Sequence, residues 1–149
     1  MGQDFVKNML HGQIKQKIKT LREYMDDLAP YASLSVEELV SNKEKRTLAE
    51  RYFQLMVDEA IDINAALAYQ LGGKIADAYR STFFELVPLG IIDQSFADAI
   101  SESAKVRNQL THDYEKLSKK TVAESIKKFF EMYKQYAKII VEKFLDGSK

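Results

Sequence analysis

The sequence predicts an all-α fold, an up-down bundle of four long helices with one or two short extra helices. Three observations carry this. Apolar residues recur at three- and four-residue intervals through most of the chain. Pro and Gly are scarce, two and six in 149 residues, and they fall where helices need to break. No window of four to eight residues alternates as a half-buried strand does. The length suits a single helical domain over residues 1–149, long enough to bury about two-thirds of its extended surface.

Each element has its own warrant. Val6, Met9 or Leu10, Ile14, Ile18, Leu21, Met25 and Leu28 form one helical stripe. That helix should run from Phe5 to Leu28, because Pro30 disfavours helix in the residue before it. His11 lies beside the stripe and reads as an ordinary surface or packing histidine. Ser35-Val36-Glu37-Glu38 has the form of a capping box and starts a short helix. From Lys43 to Leu71 there is no Pro or Gly, giving a helix of roughly 40 Å. Its apolar residues, Leu48 through Leu71, cover more than one stripe, as the central helix of a bundle requires. Glu59, Asp62 and Asn64 interrupt that surface. They point outward, meet a buried partner, or orient a site residue across the bundle.

Gly72-Gly73 ends the long helix, and a further segment from Ala76 to Leu86 turns Tyr79, Phe83 and Phe84 inward. Asp93 is the expected N-cap of the next helix. Its inward stripe is Phe96, Ile100, Ser103, Leu110, Tyr114 and Leu117. Thr121-Val122-Ala123-Glu124 reads as a second capping box, starting a last helix with Val122, Ile126, Phe129, Tyr133, Ala137, Ile140 and Phe144 inside.

Composition narrows function. With 22 basic and 22 acidic residues there is no global field, so a polyanion partner needs a local basic patch. The absence of cysteine excludes disulfides, thiolate metal sites and a cysteine nucleophile. No Gly-rich phosphate loop, His-Glu-x-x-His or Gly-x-Ser-x-Gly is present. Neither histidine has Glu three residues before it, so the ligand pattern of a carboxylate di-metal bundle is missing. No metal and no cofactor are expected. The N-terminus lacks a signal-peptide plan, and the longest charge-free run, Ile63 to Gly73, is too short to span a bilayer. A cytoplasmic protein without membrane association is the expectation.

The chemistry gathers in Arg107-Asn108-Gln109-Leu110-Thr111-His112-Asp113-Tyr114. On an ideal helix Arg107 and His112 stand about 140° apart, poor geometry for one compact site. Either the helix loosens near His112, or two copies meet across a twofold axis so that each Arg approaches the other chain's His. The second arrangement suits metal-free RNA cleavage. That reaction needs a base for the 2′-hydroxyl, an acid for the leaving oxygen and a cation for the phosphorane. Asn108 is placed to fix the imidazole, and Asp113 to favour its charged form. The bland alternative is an ordinary helix end, with His112 beside the terminal carbonyls and Tyr114 as a core aromatic.

Arg-x4-His-x-Tyr resembles the signature of HepT-like toxins, within the wider HEPN superfamily of helical nucleases. Glu38-Leu39-Val40-Ser41, Arg46 and Ala49-Glu50-Arg51 resemble the family's entry into its long helix. Gln54 to Ile63, Ala78-Tyr79-Arg80-Ser81-Thr82-Phe83 and Leu89-Gly90-Ile91-Ile92 continue the likeness, which covers about residues 5 to 145. Thr111 stands where the family often has Val, a mild departure. The resemblance implies a metal-independent endoribonuclease toxin of a type VII-like toxin–antitoxin pair, working as a homodimer. Arg107 and His112 are then its catalytic pair and Asn108 a supporting residue. It further implies a nucleotidyltransferase antitoxin of the MNT type, which neutralises the toxin by transferring AMP onto Tyr114.

Lys105, Lys116, Lys119, Lys120, Lys127 and Lys128 lie near the motif. They supply the local basic patch for RNA, or else form a solvated helix face. The alternative function is a non-catalytic helical partner of a nucleotidyltransferase, binding nucleotide or substrate. The intact Arg and His favour the enzyme.

Overall fold

The computed structural model describes residues 2–76 and 81–146, with side chains described from residue 11 to residue 144. Among the described residues five α-helices build a bundle: α1 (Gly2–Ala32), α2 (Val36–Ser41), α3 (Lys43–Gly72), α4 (Gln94–His112) and α5 (Lys119–Val141). Four are long and α2 is short. A 3-10 turn at Thr82–Leu86 precedes α4, another at Tyr114–Lys116 joins α4 to α5, and a π-turn at Glu142–Asp146 follows α5. Tyr79 and the expected Ala78-Tyr79-Arg80 stretch lie outside the described residues, as do the side chains of Val6, Met9 and Leu10.

Helix α3 is the axis. It packs against α1, α2, α4, α5 and the Thr82–Leu86 turn. Phe53, Met56, Val57, Ala60, Ile63 and Leu67 along it are fully buried. The buried residues of α3, from Arg46 to Ala68, form one stripe where more was expected, the residues beside it being half-buried. The other helices add their own stripes: Ile14, Ile18, Leu21 and Leu28 from α1, and Val122, Ile126, Phe129, Tyr133, Tyr136 and Ile140 from α5. The predicted capping box is present, with Glu38 N donating to Ser35 Oγ at 3.1 Å and Ser35 N to Glu38 Oε1 at 3.4 Å. Asp93 caps α4, accepting from Phe96 N at 2.7 Å.

Four boundaries differ from expectation, each for a local reason. Helix α1 runs past Leu28 through Pro30, because a proline this close to the C-terminus removes only one hydrogen bond. The ladder resumes beyond it, with Ser33 N donating to Ala29 O at 3.1 Å. Helix α5 starts at Lys119, not Thr121, because the Ser118 hydroxyl is already in place to accept from Thr121 N at 3.3 Å. Within the segment expected before α4, Thr82–Leu86 is a tight 3-10 turn that starts at the Ser81 cap, with Phe83 buried and Phe84 partly so. Tyr114 is not on the inward stripe. Helix α4 stops at His112, and the 3-10 turn carries Tyr114 to the surface, where it is 49% exposed.

One expectation for α3 resolves inward. Asn64 is fully buried: its amide donates to Thr82 Oγ1 at 3.2 Å, and its oxygen accepts from Tyr136 OH at 2.6 Å. This network joins α3, the 3-10 turn and α5. A second pair joins α4 to α5. Ser103 donates to Ile100 O at 2.6 Å and accepts from Tyr133 OH at 2.9 Å. Tyr136→Phe leaves the Asn64 oxygen buried without its donor and should lower stability by about 1–3 kcal/mol. Urea unfolding at constant m-value checks this, and Tyr136→Phe combined with Asn64→Leu should recover much of the loss.

Candidate nuclease site

Helix α4 holds its geometry through the motif. Thr111 Oγ1 donates to Arg107 O at 3.1 Å, and the last turn closes with Asp113 N donating to Gln109 O at 2.8 Å. The break falls one residue past His112, at Asp113 (φ −130°, ψ 32°). The helix therefore does not loosen between Arg107 and His112. They remain five positions and about 140° apart. His112 projects into solvent from the last position of the helix.

Arg107 is fixed from two sides. Its Nε lies 2.7 Å from Asp58 Oδ1 on α3, close enough for strong charge attraction though its N–H is not aligned for a hydrogen bond. Its Nη1 donates to Asn108 Oδ1 at 3.0 Å. Asn108 thus steadies the guanidinium, whereas the sequence had placed it beside the imidazole. The pair is partly solvated, so Asp58 contributes orientation more than stability.

A cleft of about 1000 Å³ opens beside Arg107. Asp58, Asp62, Asp98 and Glu102 line it, against Lys105 and Arg107. Lys105 is itself paired with Glu102 at 3.0 Å. Four carboxylates against two cations make this wall repel a phosphate backbone.

The other candidate lysines divide sharply. Lys116, Lys119 and Lys120 are exposed around the Tyr114 turn. Lys127 is a structural cap instead. Its ammonium donates to Ala32 O at 2.8 Å and Leu34 O at 2.6 Å, closing the C-terminus of α1. Lys128 lies over the Phe129 ring, 5.3 Å from its centroid.

Tyr114 leads to residues that the sequence reading had not assigned to the site. Its hydroxyl donates to Glu50 Oε1 at 3.0 Å, joining the α4–α5 connection to α3. Glu50 is only 6% exposed, and Arg46, one turn earlier on α3, is 7% exposed. Burial raises the Glu50 carboxyl above the ordinary range, against the opposing pull of the Tyr114 hydrogen bond and of Arg46 and Lys119. Burial also raises the Tyr114 phenol, reinforced by its bond to Glu50. Arg46 donates to Val40 O at 2.6 Å and Leu39 O at 3.4 Å, while its buried Nε has no hydrogen-bond partner. The available signal was the i, i+4 pair Arg46 and Glu50 flanking buried Ala49, two charges where a bundle axis should be apolar.

The bundle has the fold of a solved HEPN toxin. It matches the structure of the tri-AMPylated Shewanella oneidensis HEPN toxin in complex with MNT antitoxin with a TM-score of 0.75. That match covers 85% of this chain and 95% of the other at 20% identity, and it speaks to fold alone. Residues 15–140 match the family model for HepT-like ribonucleases, and the chain belongs to that family of enzymes. It is also similar to a tRNA nuclease HepT from Aphanizomenon flos-aquae, 27% identical over 85% of this chain and 86% of the relative. A putative RNase from Archaeoglobus fulgidus is 36% identical over 70 residues, 47% of this chain and 52% of that one. Among the described residues no helix is long and apolar enough to cross a membrane.

The division among the lysines is measurable. Lys127→Met should cost about 1.5–3 kcal/mol in urea unfolding, as loss of a charged hydrogen-bond donor does, with RNA affinity of the folded variant unchanged. Lys119→Ala with Lys120→Ala should leave stability unchanged and flatten the salt dependence of RNA binding.

Proposed function

We propose that the chain is a metal-independent endoribonuclease toxin whose site forms between two copies. Arg107 and His112 carry the reaction, and Asn108 holds the guanidinium. The observation behind this is the unbroken helix between the two residues, which turns them about 140° apart. A twofold axis along the exposed end of α4 supplies a second Arg107 and a second His112, restoring convergence.

In that shared site one imidazole accepts the 2′-hydroxyl proton as its oxygen attacks the adjacent phosphorus. Arg107 offsets charge on the non-bridging oxygens, and the second imidazole protonates the 5′-oxygen that leaves. The products are a 2′,3′-cyclic phosphate and a 5′-hydroxyl. RNA approaches over Lys116, Lys119 and Lys120, away from the acid-lined cleft. The relative named a tRNA nuclease makes tRNA the first substrate to test.

The same reading makes Tyr114 the point of control. It is half exposed, two residues from His112 and inside the lysine cluster. AMP transferred to it by an MNT-type nucleotidyltransferase antitoxin adds bulk and a negative charge where the RNA phosphates approach. Support comes from the fold match to a toxin solved in AMPylated form with such an antitoxin.

Purified protein should cleave tRNA in EDTA, leaving 2′,3′-cyclic ends, and Arg107→Ala and His112→Ala should each abolish cleavage while folding normally. Wild-type chains unfolded and refolded with an equal amount of His112→Ala chains should lose about half their activity, since mixed dimers hold only one of the two imidazoles. Full retention of activity would place the whole site within one subunit.

A further inference from the structure

Glu50 is a buried carboxylate aimed at the one exposed phenol of the motif, and nothing in nuclease chemistry at Arg107 and His112 uses it. Resting on the reading above that Tyr114 receives AMP, we propose that Glu50 is the proton acceptor that activates Tyr114 for nucleotidyl transfer, with Arg46 as the cation facing the phenol oxygen.

The geometry separates the two ends of the tyrosine. Tyr114 is 49% exposed, while its hydroxyl is fixed 3.0 Å from Glu50 Oε1. That bond uses the phenol's only proton, and the oxygen keeps its lone pairs for Arg46 and for attack. Tyr114, Glu50, Leu117 and Lys119 border a groove of about 240 Å³ at this point. A mere tether for the α4–α5 connection needs only a neutral acceptor; Gln or a backbone carbonyl serves without burying a charge. A buried carboxylate held against a phenol is instead the apparatus for taking up a proton, and Arg46 one turn away keeps it in the charged, proton-accepting form until the phenol gives up its proton.

In the step, the Tyr114 oxygen bonds to the α-phosphorus of a nucleoside triphosphate held by the nucleotidyltransferase. The bond from that phosphorus to the oxygen bridging to the β-phosphate breaks, and pyrophosphate leaves. The phenolic proton passes to Glu50 Oε1 as the new bond forms. Burial that favours protonated Glu50 assists the transfer and leaves a neutral acid beside the new phosphodiester. The charged groups facing Glu50 are Arg46 from α3 and Lys119 from α5, with Tyr114 on the connecting turn.

The test is AMP transfer from α-labelled ATP by an MNT-type nucleotidyltransferase, followed across pH for wild type, Glu50→Gln and Glu50→Asp. Glu50→Gln keeps an acceptor for the hydroxyl but not a base, and its rate should fall about 10²-fold or more. The wild-type rate should decline as pH falls through the raised Glu50 value, and this limb should vanish in Glu50→Gln. Glu50→Asp should be slowed with the limb retained, which keeps the test open if Glu50→Gln misfolds. RNA cleavage by the unmodified variants and their thermal unfolding report the fold. Wild-type rate and pH profile in Glu50→Gln, or wild-type rate in Glu50→Asp, would overturn the role of Glu50. No labelling of wild-type protein would instead overturn the reading of Tyr114 itself.

Discussion

Helix α3 buries an unbroken stripe from Arg46 to Ala68 beneath the other helices and the 3-10 turn, and the rest of the molecule is arranged on that constraint. Three polar residues on or beside that stripe each reach a different partner. Asn64 ties the 3-10 turn to α5 through Thr82 and Tyr136. Asp58 holds Arg107, and Glu50 holds Tyr114. The functional segment between α4 and α5 contributes little to the core, so its placement depends on these contacts from the axis. Stability and site geometry therefore share one helix.

Helical geometry also decides what a single chain is able to do. Backbone hydrogen bonds are intact through His112, so Arg107 and His112 point in different directions. Arg107 faces an acid-lined cleft and His112 faces solvent near exposed lysines. The electrostatics agree with the angles: the half of the surface that attracts phosphate carries the imidazole and the tyrosine, not the arginine. One chain presents separated parts, and juxtaposition has to come from outside it.

Much of the bundle was legible in the sequence because helices declare themselves locally. The stripes of α1 and α5, the long α3 and the caps at Ser35 and Asp93 depend on residues within a few positions of one another. The errors arose where two local signals competed. Pro30 lost to an established helix, and Thr121 lost to Ser118 three residues earlier. Tyr114 continued an apolar stripe in spacing, yet the helix under it ended at His112. The candidate site was legible as a list of residue types, but its contacts were not. Glu50 and Tyr114 are 64 positions apart, and no periodicity links them. No spacing in the sequence ties Asp58 to Arg107, and Lys127 reads as part of a polyanion surface although its ammonium closes another helix.

The anchoring of Arg107 and Tyr114 to one uninterrupted helix has an evolutionary corollary. Glu50 and Asp58 are eight residues apart on α3, about 12 Å along its axis. Point substitutions between them alter packing but leave that interval and its phase intact. A single inserted or deleted residue turns one anchor about 100° relative to the other and shifts it by about 1.5 Å. Sequence drift in this stretch should therefore proceed by replacement and not by change of length, with the spacing of the two carboxylates outlasting the identity of the residues between them.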